Sequence, residues 1–100
     1  MKKFAAMFMG PDFIPETHTA EFANKREGKT CIYTVRNKQE ALAKIVELKE
    51  NGFGAIELCG AFSRDFALEM IALTKGEIAI GYSVHEPEQD ELFNQFFGGQ

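Results

Sequence analysis

The sequence predicts an α/β protein: a single small domain over residues 1–100, with a four-stranded, mainly parallel sheet, two βαβ crossovers and a C-terminal helix. Three observations carry this. The chain has 100 residues, 45% apolar and 26% charged, enough for one core and too short for two. Short runs of β-branched and aromatic residues alternate with capped segments of helical period. The joints between them are short, as helical crossovers between parallel strands require.

Each element follows in order. Phe4–Met9 is a brief apolar run closed by Gly10-Pro11, which makes it a buried strand. From Gly10 to Gly28 the pattern is weak. "THTAEFANKREG" admits a short helix or the first arm of a hairpin turning at Asn24 to Gly28, and the hairpin is favoured. "TCIYTVR", Thr30–Arg36, is dense in β-formers and is the second strand. Asn37 then stands at a helix N-cap with Glu40 three residues on, Ala41, Leu42, Ile45 and Leu48 make one apolar stripe, and Gly52 closes the helix.

Phe53–Cys59 is the third strand. Ser63 caps a second helix, whose Phe66, Ala67, Met70, Ile71 and Leu73 give a broad apolar face ending at Gly76. Ile78–Val84 is the fourth strand. Pro87 opens the last helix, with acidic residues at its positive end and Leu92, Phe93, Phe96 and Phe97 along one stripe. Right-handed crossovers stepping in one direction place the first two helices on one sheet face. The other face then needs a cover, from the C-terminal Phe stripe within the subunit or from a second copy. An apolar stripe of that size predicts a homo-oligomer, most simply a two-fold dimer.

Charge and composition exclude several classes. A net charge of −4 with scattered basic residues argues against nucleic acid and against an anionic membrane surface as partners. Cys31 and Cys59 cannot form a disulfide framework and lack zinc-site spacing, so a reduced, cytoplasmic setting is expected. "MKKFAAMFMGPDF" mimics a signal peptide, but its apolar run is short and no A-x-A pattern follows. No stretch approaches the ~20 apolar residues of a membrane span. "ANKREGKT" satisfies a permissive P-loop pattern, yet its loop is filled by Asn, Lys, Arg and Glu, and strand rather than helix follows. His18 is too isolated for a metal site, the acids at 86–91 lack the EF-hand pattern, and neither metal nor cofactor is expected.

The chemistry-bearing groups gather at the strand ends. Ligands of open parallel sheets sit at the carboxyl ends of strands. Those ends carry Asp12, Arg36, Cys59 with Gly60, and His85, while Ser63 opens a helix N-terminus suited to an anion. Gly60 permits a tight turn there. Alternation in "AIELC" puts Ile56 and Leu58 on one face and Ala55, Glu57 and Cys59 on the other. If the fourth strand is its neighbour in phase, Glu57 lies among Ala and Gly, with room beside it. It then reaches solvent, finds a donor or faces a ligand. Cys59 and His85 would leave adjacent strands ~5 Å apart, close enough for imidazole to favour a thiolate, although no third orienting residue is evident.

"GFGAIELCGAF", preceded by a capped helix and an N-terminal "MFMGPD", resembles a family of roughly 100-residue prokaryotic α/β proteins classed as a domain of unknown function. The resemblance implies a compact α/β domain and supplies no catalytic residues. No motif names a substrate, and whether there is catalysis stays open. The residues favour a small-molecule module binding an anionic metabolite through Asp12, Arg36, Glu57, Cys59, Gly60, Ser63 and His85. The alternatives are a small enzyme using Glu57 or His85 as acid or base with Cys59 as nucleophile, and a structural homo-oligomer subunit.

Overall fold

The computed structural model describes residues 2–23, 25 and 28–98. In chain order they form β1 (Lys3–Met9), β2 (Ala20–Ala23), β3 (Lys29–Val35), α1 (Lys38–Glu50), β4 (Ala55–Leu58), α2 (Arg64–Leu73), β5 (Ala79–Tyr82), a 3-10 turn (Pro87–Gln89) and α3 (Asp90–Phe97). The strands make one sheet in the order β2-β3-β1-β4-β5. β3, β1, β4 and β5 are parallel, and β2 is antiparallel to β3.

This corrects the expected four strands and simple crossovers. The fifth strand is β2, too short to stand out by pattern. It pairs with β3 as the first arm of the expected hairpin; the expected turn at Asn24 to Gly28 includes Asn24, Arg26 and Glu27, which lie outside the described residues, as does part of the P-loop-like stretch. Contacts beyond the ladder hold this edge. Lys29 Nζ pairs with Glu21 at 2.8 Å, Thr19 Oγ1 donates to the Ile32 carbonyl at 3.0 Å, and buried Thr34 Oγ1 donates to the His18 carbonyl at 2.8 Å. The first crossover does not step to a neighbouring strand. α1 carries the chain from β3 past β1 to β4, because the apolar β1 takes the centre of the sheet, while α2 joins the neighbours β4 and β5.

One sheet face builds the core. Ala5, Met7, Cys31, Val35, Ile56 and Leu58 alternate inward and meet α1 through Ala41, Ile45 and Leu48. α2 adds Phe66, Ala67 and Met70 to the same cluster, so both helices share this face. Expected apolar Leu73 is instead 45% exposed, since the buried stripe of α2 runs through Phe66, Ala67, Met70 and Thr74 and leaves Leu73 at its edge. Asn37 Oδ1 accepts from Glu40 N at 2.9 Å, and Ser63 Oγ accepts from Phe66 N at 3.1 Å, so both predicted N-caps are in place. Gly52 at φ +84° releases α1, and Lys75 and Gly76 at φ 58° and 66° release α2.

The opposite sheet face carries no helix of its own chain. In register across it run Phe22, Thr30, Phe4, Ala55 and Ala79, then Ala20, Ile32, Ala6, Glu57 and Gly81. Phe4, Phe8 and Phe22 are exposed there. α3 does not cover them. Its four apolar side chains stand in solvent, and its substantial contacts are with the 3-10 turn before it.

Candidate functional site

Four parallel strands end along one rim. Beyond the strands proper the ladder continues by one rung: Gly10 N donates to the Val35 carbonyl, Cys59 N to Met7 and Ser83 N to Leu58, each at 2.9–3.0 Å. The rim therefore gathers the Gly10–Asp12 turn, Arg36, the Cys59–Ser63 turn and Ser83–His85. Cys59 and His85 follow neighbouring strands, β4 and β5.

The structure gives most of these groups a local task. Arg36 Nε and Nη2 clasp the Glu40 carboxylate, which also accepts from Arg36 N at 2.8 Å. Hydrogen bonding in this pair, more than its Coulombic attraction, raises the Arg36 pKa and lowers that of Glu40. Ser63 is occupied as a cap. His85 Nε2 meets Asp90 Oδ1 at 2.6 Å, and its ring stacks on Phe93 at 4.0 Å and 8°, which ties it to α3. Asp12 is exposed in its turn. Cys59 is a half-buried free thiol packed against the core. Gly60 is exposed with an ordinary φ, and a methyl there would touch nothing, so the turn that glycine permits does not require it.

Two rim features were not singled out in the sequence. Arg64, first residue of α2, is exposed and has no ionic partner among the described residues. It stands at the positive end of the helix, and its place directly after the Ser63 cap was the available signal. A shallow groove of about 200 Å³ runs between Pro15-Glu16 and α1, walled by Glu40, Lys44 and Glu47. Lys44 there pairs with Glu47 at 2.8 Å.

Glu57 lies on the uncovered sheet face, one residue short of the rim, between Ala6 and Gly81 as the alternation predicts. Its carboxylate bends over Gly81: a Cβ at position 81 would meet Glu57 Oε2 at 2.8 Å. No described residue gives it a hydrogen bond or ion pair. Small neighbours leave the room the sequence suggests.

Elsewhere the reactive residue types have local partners. Cys31 is buried beside Tyr33, whose phenol is pushed well up in pKa, first by burial and then by hydrogen bonding with that thiol. His18 Nδ1 accepts from Ile14 N at 2.9 Å, and its ring meets Phe13 edge-on. Among the described residues no three His, Cys, Asp or Glu side chains are grouped to hold a metal ion, and no helix is long and apolar enough to cross a membrane.

The chain belongs to the family of unknown function DUF6506, whose model matches residues 2–98. No curated protein matches it, and no solved structure does.

Proposed function

We propose that this member of the family is a small-molecule binding module that takes an anionic ligand at the carboxyl-end rim. The observation that carries the reading is Arg64, a cation without an ionic partner among the described residues at the positive end of α2, beside the open Gly60 turn. Ser63 fixes where the helix starts, so the remaining free N–H groups of the first turn lie at the same end of α2 as Arg64. Asp12, Arg36, Cys59 and His85 border that rim and set its shape and polarity. Two free thiols, Cys31 and Cys59, fit a reducing, cytoplasmic setting.

A second reading has one observation behind it, the absence of a described partner for Glu57. In a small enzyme that carboxylate would take or give the proton, with Cys59 and His85 at the adjacent strand ends.

Thermal denaturation in inorganic phosphate and in small carboxylates, each raised to tens of millimolar, separates these. Binding raises Tm with ligand concentration, whereas excluded anions stabilise any protein. The informative quantity is the difference between the native chain and Arg64→Glu. The binding module gives a gain present in the native chain and lost in the variant. Equal gains in both overturn it. Turnover of a bound carboxylate that disappears in Glu57→Gln would favour the enzyme.

A further inference from the structure

Two unpartnered apolar surfaces of one chain are complementary in kind. One is the α3 stripe: Leu92, Phe93, Phe96 and Phe97 are 59%, 41%, 75% and 65% exposed and line an open groove of about 360 Å³. The other is the bare sheet face, where Phe4, Phe8 and Phe22 are 36%, 42% and 56% exposed. A sheet apolar on both faces is stable when both are covered, and here only one is. From this we infer that the protein is a reciprocal dimer, in which α3 of each chain lies on the bare sheet face of the other.

The helix is held in a direction that leaves its own sheet bare. The His85–Phe93 stack and the His85–Asp90 hydrogen bond brace α3 against the segment that leaves β5. The chain is extended accordingly, 41 × 28 × 26 Å with a radius of gyration of 14.3 Å, whereas a compact chain of this length has about 13 Å. A second copy supplies what each chain lacks in equal number, one stripe and one face, and such an exchange closes under a two-fold axis.

Area and charge agree. Taking roughly 200 Å² for a whole aromatic side chain and somewhat less for Leu92, the six Phe and one Leu expose about 700 Å² per chain. Two chains would then cover about 1,400 Å², close to the ~1,600 Å² of a standard specific interface. The acids that begin α3, Asp90 and Glu91, follow Glu88 in the preceding turn. Exposed Lys2, in phase with Phe4, and Lys25, just past β2, mark the opposite end of the sheet from the rim. Pairing these charges sets the two sheets antiparallel, the acidic end of each helix lying over the basic end of its partner.

Mass measured by light scattering from micromolar to hundreds of micromolar tests this with two variants, Phe96→Asp and Phe8→Asp. Both residues are exposed, and far-UV circular dichroism confirms that each variant folds. The native chain is expected at twice 11.2 kDa and each variant at the monomer mass. Mixed in equal amounts, the variants should recover a weaker heterodimer, because one intact helix still meets one intact face. A monomeric native chain overturns the inference. So does a dimer broken by Phe96→Asp but not by Phe8→Asp, which would mean helix against helix. A mixture that stays monomeric overturns it as well.

Discussion

Glu57 and Gly81 show how one residue's identity depends on another across a strand pair. Glycine inside a strand is ordinarily a loss, through backbone entropy and a missing side chain. Here the Glu57 carboxylate occupies the space a Cβ would fill, at 2.8 Å. Gly81→Ala should therefore be close to neutral in the native chain, its propensity gain offset by displacing Glu57. In Glu57→Ala the same substitution should stabilise by about 0.5–1 kcal/mol. A double-mutant cycle by urea denaturation reads the coupling directly, and equal effects of Gly81→Ala in both backgrounds would mean that the two residues do not interact. Strand alternation made the faces of Ile56, Glu57 and Leu58 legible, because a two-residue period survives in four residues. The engagements of His85 with Phe93 and of Arg36 with Glu40 were not legible. Both depend on rotamers settled by neighbours rather than on spacing alone.

At the scale of elements, the N-terminus of α1 is a charged version of a capping box. Asn37 takes Glu40 N, and the Glu40 carboxylate turns back to Arg36, backbone and guanidinium together. Glu40's folded pKa lies below its ordinary value, first through the Arg36 hydrogen bonds. Its contribution to stability is therefore present above the unfolded carboxylate pKa of ~4.3 and is lost as pH falls through the folded value. Glu40→Gln should melt below the native chain at neutral pH, and the gap should close in acid below about pH 4. A gap unchanged down to pH 2–3 would place Glu40's role in shape rather than charge. The caps of α1 and α2 could be read because Asn and Ser at those positions satisfy orphan N–H groups by local chemistry. β2 could not be delimited, because Ala20–Ala23 owes its strand conformation to β3 and to the Thr19 and Thr34 hydroxyls rather than to its own pattern.

For the whole molecule, the arrangement of layers ties stability to assembly. A 100-residue chain buries less of its surface than a larger domain does and has little stability to spare, and this one leaves both a sheet face and a helix stripe in water. If the exchanged helix is the missing layer, folding and association are one equilibrium, and Tm must rise with concentration. For a dimer of two such chains the unfolding enthalpy is of the order of 140 kcal/mol at ~0.7 kcal/mol per residue, which gives roughly 3–4 °C for each tenfold increase in protein. Phe96→Asp should both lower Tm and flatten that dependence, since its chains unfold alone. A native Tm that stays constant over a hundredfold range of concentration would show that α1, α2 and the one covered face suffice. The bare face would then have to find its partner outside this chain.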